Sequence, residues 1–122
     1  MHLFEAAIDL LSYATLLKAQ GKDYKAENLL SLSGVYQPKK ESKDSKIPIA
    51  LSVFLEKNPL IKMIHLHLDN DKTGRLCANT LKELLRNKYE VFDEPPKKGK
   101  DYNDYLCIQL GIYKSKERSY ER

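Results

Sequence analysis

Hydrophobic and polar positions divide this chain into short apolar runs and longer segments with helical spacing, in the order β-α-β-α-β-α-β-α. The short runs end at charged or turn residues, as strands do, and the longer segments end at Gly or Asn-Pro. Such alternation favours a parallel sheet with right-handed crossovers and helices on both faces. The predicted strands lie at 2–5, 29–34, 63–68 and 89–96.

The four predicted helices follow these strands. The first ends at Gly21, and its apolar side is expected to be Ala7, Leu10, Leu11, Ala14 and Leu17. The second lies between Pro48 and Asn58. The third runs from about Gly74 to Lys88 with an apolar stripe of Cys77, Leu81, Leu84 and Leu85. The last is capped by Asp101 or Asn103 and ends at Gly111.

The run at 63–68 is the most informative of the predicted strands. Its even-numbered residues, Ile64 among them, lie on one face, and the odd-numbered ones, including His65 and His67, lie on the other. It leads directly into Asp69 and Asp71, whose spacing directs both side chains the same way in extended backbone. Two adjacent carboxylates repel each other unless a cation lies between them, and oxygen ligands suit Mg²⁺.

Other acidic residues follow other predicted strands. Glu5 ends the first, and Asp101 and Asp104 follow the fourth. The carboxyl ends of parallel strands share one edge of a sheet, so these side chains can converge on one pocket. If the first and third strands are neighbours, the strand order reverses between them and leaves a crevice there.

Composition limits the alternatives. The 122 residues, 42% hydrophobic and 31% charged, fit one globular domain. No apolar run is long enough for a membrane span and no signal peptide is evident, so we expect a cytoplasmic protein without membrane association. The net charge of +4 is concentrated at 37–46 and in the tail, which is weak evidence for nucleic acid. Cys77 and Cys107 are expected to be reduced core thiols.

Four segments resemble the Toprim domain, which bacterial primases, type IA and type II topoisomerases and several nucleases share. The most similar version is the Toprim-like domain of proteins from conjugative and mobilisable elements. The resemblance implies a Rossmann-like α/β fold with a four-stranded, mainly parallel sheet. We expect the domain at 1–113, with a mobile charged loop at 36–47 and a charged tail at 114–122. The segments that carry the resemblance are 3–16, 29–34, 67–75 and 99–106.

The resemblance also implies roles for individual residues. Glu5 matches the family's glutamate, a general acid or base toward a nucleotide 3′ oxygen. Asp69 and Asp71 match the pair that holds Mg²⁺, for which Mn²⁺ can substitute, and Asp101 matches a further acidic position. The residues expected near phosphate are Lys72, Arg75 and Lys100.

The implied function is Mg²⁺-dependent phosphoryl transfer on DNA or RNA, as a nuclease or a primase-type nucleotidyl transferase. The chain offers no room for a primase's accessory parts or a topoisomerase's tyrosine domain. We therefore expect a fragment, or a small protein that acts with a larger replication or mobilisation protein. The alternative is a non-catalytic Toprim-like module that binds DNA or protein.

Other interpretations of the same residues remain open. The segment from Asp69 to Thr73 also opens like a haloacid-dehalogenase-type phosphatase, with Asp69 as nucleophile. An EF-hand is rejected because Thr80 stands where the loop needs Glu. The aspartates could also act only as helix caps, and Glu5 could act only through the helix dipole. His65 and His67 are expected to pack in the core rather than bind metal.

Overall fold

The computed structural model describes residues 1–32 and 47–111, and these form an α/β fold. Within that part of the chain four strands make one all-parallel sheet in the order β2-β1-β3-β4, with helices on both faces. This confirms the predicted fold class. The strands are β1 (His2–Phe4), β2 (Leu29–Ser31), β3 (Met63–Leu66) and β4 (Glu90–Asp93). The helices are α1 (Ala7–Ala19), α2 (Ile49–Lys57), α3 (Lys72–Leu85) and α4 (Tyr102–Leu110), and a short 3-10 turn covers Tyr24–Ala26.

The central strands are β1 and β3, and they are neighbours as the crevice hypothesis required. His2 pairs with Leu29 on one side and with His65 on the other. The chain therefore leaves β1 toward β2 and then returns to the opposite side of β1 to form β3. This reversal opens a crevice at the carboxyl ends of β1 and β3.

One face of the sheet carries the aliphatic core. Leu3, Ile64 and Leu66 are fully buried there beneath α2 and α3. The stripe predicted for the third helix is confirmed for Cys77, Leu81 and Leu85, which are buried in this core, whereas Leu84 is half-buried. Cys107, on α4, is only half-buried.

The opposite face buries rings rather than aliphatic side chains. His2, Phe4 and His67 are buried there beneath α1 and α4, which contribute Tyr13 and Tyr102. The rings of Phe4 and His67 stack with centroids 5.0 Å apart. The expectation that His67 packs in the core is therefore confirmed.

The apolar side predicted for the first helix is correct for Leu17 but wrong for Ala7 and Leu11, which are exposed. The residues of α1 that are buried are Asp9, Ser12 and Leu17, whereas Leu11 is 63% exposed. The reason is the partner helix, because α1 meets α4 through polar contacts. Ser12 donates to Asn103 Oδ1 at 3.3 Å, and Asp9 accepts from the Asn103 amide at 3.2 Å.

Smaller differences concern element ends. β2 is half-buried rather than buried, since it is the edge strand. α3 begins at Lys72, two residues before the predicted start, because Asp71 caps it. Apart from Ile47, the predicted loop at 36–47 lies outside the described residues, as does the tail at 114–122, and the domain division stays a prediction. None of the helices in the described ranges is long and apolar enough to cross a membrane.

Candidate metal centre

Acidic residues from three parts of the chain meet at the carboxyl edge of the sheet. One carboxylate oxygen from each of Asp9, Asp69 and Asp101 lies within 4.8 Å of the others. Asp69 follows β3, Asp101 is the cap of α4, and Asp9 is in the first turn of α1. Three hard oxygen donors at this separation fit a divalent cation such as Mg²⁺ or Mn²⁺.

Glu5 extends this cluster from the end of β1. Its carboxyl group is close enough to Asp69 for the two to share a hydrogen bond. Such a bond requires one of them to carry a proton, because ionised carboxylates only accept. Burial is the main cause that raises the pKa of Glu5, and repulsion from Asp71 and Asp9 adds to it. The structure thus brings Glu5 and Asp69 together, as convergence at this edge required.

The crowding of the carboxylates also raises their pKa values. Burial, with added repulsion from Asp101 and Asp69, raises the pKa of Asp9 to about 6. Burial and the neighbouring charge of Glu5 raise the pKa of Asp69 to about 7. The cluster therefore holds protons near neutral pH when no cation is bound, and a cation would displace them.

Asp9 is the member of this cluster that the sequence analysis missed. It is 4% exposed and accepts a hydrogen bond from the backbone of Asn103. The signal that could have found it is its position four residues after Glu5, at the helix end next to the predicted acidic edge. The assumption that α1 buries only apolar residues hid that signal.

Asp71 lies beside the cluster with a different set of contacts. One oxygen accepts from the Gly74 amide at 2.7 Å and caps α3, and the other faces Lys100 Nζ at 3.7 Å. Asp101 also caps its helix, through the Asp104 amide at 2.8 Å. Both residues therefore act as helix caps, which leaves open whether they do more. A cap uses one oxygen, so each carboxylate keeps acceptor capacity for a cation.

The three residues predicted near phosphate differ in their surroundings. Lys72 is exposed on the first turn of α3. Arg75 donates to both carboxylate oxygens of Asp93, at 2.9 and 2.7 Å, and to the carbonyls of Leu68 and Asp69. Lys100 lies next to Asp71. Lys72 and Lys100 thus have exposed ammonium groups at this edge, whereas the guanidinium of Arg75 joins α3 to β4.

Gly74 lets α3 approach the end of β3. A Cβ atom at this position would overlap the carbonyl oxygen of Asp69. The close approach places the α3 amino end directly behind Asp69, where the helix dipole favours negative charge.

Comparison with known proteins agrees with this geometry. No curated protein and no solved structure matches the chain. The family model described as Toprim-like matches residues 2–106, which include every carboxylate of the cluster. On this match, and with a four-stranded parallel sheet consistent with that fold, the chain belongs to the Toprim-like family.

Proposed function

We propose that this chain is a Mg²⁺-dependent phosphoryl-transfer domain that acts on nucleic acid, as a nicking or primase-type module. The observation that carries the proposal is the meeting of Asp9, Asp69 and Asp101 within 4.8 Å at the carboxyl edge of a Toprim-like sheet. Membership of this family supports a nucleic-acid-processing module, and the acidic triad supports metal binding.

The division of labour follows from the contacts. The cation would be held by Asp9, Asp69 and Asp101. Asp71, which lies beside Lys100, would add a further negative charge next to it. When bound, the metal would neutralise phosphate charge and orient the reacting oxygens. Glu5 has a raised pKa and lies against Asp69, which suits a group that takes or gives a proton at a nucleotide 3′ oxygen. Lys72 and Lys100 would contact phosphate.

We also propose that the domain acts together with a partner protein. The sequence resemblance to proteins of conjugative and mobilisable elements supports a role beside a larger replication or mobilisation protein. The haloacid-dehalogenase alternative is dropped, since the chain belongs to the Toprim-like family. A non-catalytic module that binds DNA or a partner protein is the second candidate, because an acidic metal site can bind without turnover.

A nicking assay on supercoiled and single-stranded DNA with Mg²⁺ or Mn²⁺ tests the proposal. We expect nicking by the wild type and a loss of about 100-fold or more in Glu5→Gln, the range for removal of a general acid or base. Glu56→Gln is the matched control, because Glu56 is an exposed carboxylate on α2. Metal binding should be nearly unchanged in both variants.

Two results would contradict the proposal. Wild-type rates in Glu5→Gln would remove the proton-transfer role of Glu5. No cleavage by the wild type with either metal would favour the non-catalytic module, which binding of labelled DNA would then support.

A further inference from the structure

Asn70, which stands between the two aspartates after β3, ties the β4–α4 loop to this edge. Its side-chain Nδ2 donates to the carbonyl oxygens of Pro96 at 2.8 Å and Gly99 at 3.1 Å. Its backbone amide donates to the carbonyl oxygen of Lys100 at 2.6 Å. Three donated bonds from one residue thus reach three carbonyls within five residues of the loop.

Apart from the bonds to Asn70, the contacts of this loop with the described part of the chain lie mainly at its two ends. Of its residues 96–100, Pro96 is buried and the rest are exposed, so apolar packing holds only one end. Gly99 adopts φ +84°, a conformation that other residues rarely take. At the far end of the loop, the Lys100 amide donates to the Asp104 carboxylate at 3.1 Å, and the Lys100 ammonium faces Asp71.

The far end of the loop delivers two groups to the acidic cluster. The Lys100 ammonium lies 3.7 Å from Asp71 and close enough to Glu5 to favour its ionised form. The next residue, Asp101, supplies one oxygen of the metal triad. A shift of the loop would therefore move the Lys100 ammonium and the Asp101 carboxylate together.

We propose that Asn70 is a positioning residue, which holds the 96–100 loop so that Lys100 presents its ammonium to a phosphate of nucleic acid bound at the carboxylates. The inference rests on the proposed function, since it needs nucleic acid at this edge. Asn70 itself has no role in the chemistry. Its amide group is used because it donates two hydrogen bonds to carbonyl oxygens and adds no charge to a crowded acidic site.

The functional test is the salt dependence of binding to a short labelled single-stranded oligonucleotide with Mn²⁺ present. The logarithm of the binding constant falls with the logarithm of the salt concentration, and the loss of one phosphate contact makes this slope shallower by about 0.7. We expect this loss in Lys100→Ala and in Asn70→Ala. The double variant should show the same salt slope as Lys100→Ala alone, because the two residues act through one phosphate contact. Lys57→Ala, an exposed lysine at the end of α2, should keep the wild-type slope.

A second measurement needs no nucleic acid. Trypsin cleavage after Lys97 or Lys98 reports opening of the loop, and Asn70→Ala should be cut about tenfold faster than wild type at equal global stability. Lys100→Ala should be cut at the wild-type rate, since it keeps all three hydrogen bonds of Asn70.

The outcomes separate the inference from the proposed function. If the wild type binds the oligonucleotide and Asn70→Ala keeps its slope, the inference is overturned and the proposed function stands. If the slope changes without faster cleavage, Asn70 contacts phosphate itself and the positioning role is overturned. If the wild type binds neither Mn²⁺ nor the oligonucleotide, the proposed function fails and the inference fails with it.

Discussion

Two groups of titratable side chains are buried or half-buried in this domain, and their charges are compensated in different ways. On the ring-bearing face, His2 Nδ1 and His67 Nε2 lie 2.7 Å apart, and His67 Nδ1 donates to the Glu94 carbonyl at 3.0 Å. His65 is bound to the Glu94 carboxylate at 2.8 Å. At the carboxyl edge, by contrast, the side chains gathered within 4.8 Å carry the same charge.

The difference separates a group whose members pair within the protein from a group whose chemistry suits a cation. Burial and the neighbouring His2 imidazole lower the pKa of His67 to about 3, so this ring is neutral and its nitrogens are used by protein partners. Every buried side-chain nitrogen and oxygen atom in the described ranges has a hydrogen-bond partner. The carboxylates have protein partners too, but those contacts leave the mutual repulsion in place, and only a proton or a cation removes it.

The largest expected effect is at the histidine group. His67→Ala should lower the free energy of unfolding by about 3 kcal/mol, because it leaves a cavity and unpaired buried partners. Denaturant unfolding at neutral pH without metal would measure this. His65→Ala is the matched control and should cost about 1 kcal/mol or less, since His65 lies at a partly exposed position. Equal costs for the two would contradict the structural role given to His67.

A smaller loss of stability is expected behind the acidic edge. Gly74→Ala should cost about 1–3 kcal/mol, the range for overpacking, because its Cβ would overlap the Asp69 carbonyl. It should also weaken Mn²⁺ binding, since Asp69 must move. Thr73→Ala, at the exposed neighbouring position, should change neither quantity. An unaffected Gly74→Ala would show that α3 does not approach β3 so closely.

The smallest expected effect is a gain in stability, in Asp69→Asn, and its size depends on pH. A carboxyl group with a raised folded-state pKa binds more protons folded than unfolded, so its stabilising effect is lost as pH rises through that pKa. Asp69, whose pKa rises from its ordinary 3.8 to about 7, should therefore lower the stability of the metal-free protein progressively from about pH 4, with the loss complete by about pH 8. His67 acts in the opposite direction up to about pH 6.5, because its folded-state pKa is lowered, so the carboxylate effect is measured as the difference between wild type and Asp69→Asn.

Thermal unfolding at the two ends of this range tests the effect. Asp69→Asn should reduce the decline, part of which Asp9 and Glu5 also cause, and stabilise the metal-free protein at the upper end by about 1 kcal/mol, after allowance for solvent screening of a half-buried group. Saturating Mg²⁺ should remove the decline in the wild type. A difference in stability between wild type and Asp69→Asn that does not change with pH, or a lower stability of Asp69→Asn at the upper end, would contradict the crowding.

The sequence predicted the sheet and most of the site, for identifiable reasons. Strand lengths, turn residues and the helix caps are local signals, so the element order and the placement of Asp69, Asp71 and Asp101 followed from them. The side of α1 that is buried could not be predicted, because it depends on its packing against α4. Asp9 was missed for that reason. Likewise, no local signal shows that Asn70 reaches a loop 26 residues away.

The cluster of rings on one face of the sheet could not be predicted for a related reason. His2 and His67 lie 65 residues apart in sequence and meet only because β1 and β3 are neighbours. Periodicity separated His65 and His67 from the aliphatic face but could not show which rings would cover them.

The central claim is that like-charged carboxylates at the carboxyl edge form one divalent-cation site, and calorimetric titration with Mn²⁺ at about pH 7.5 tests it most directly. Wild type and Glu56→Gln should bind one ion with equal affinity, and Asp69→Asn should bind at least about tenfold more weakly. Equal heats from all three proteins, or no heat from the wild type, would contradict it.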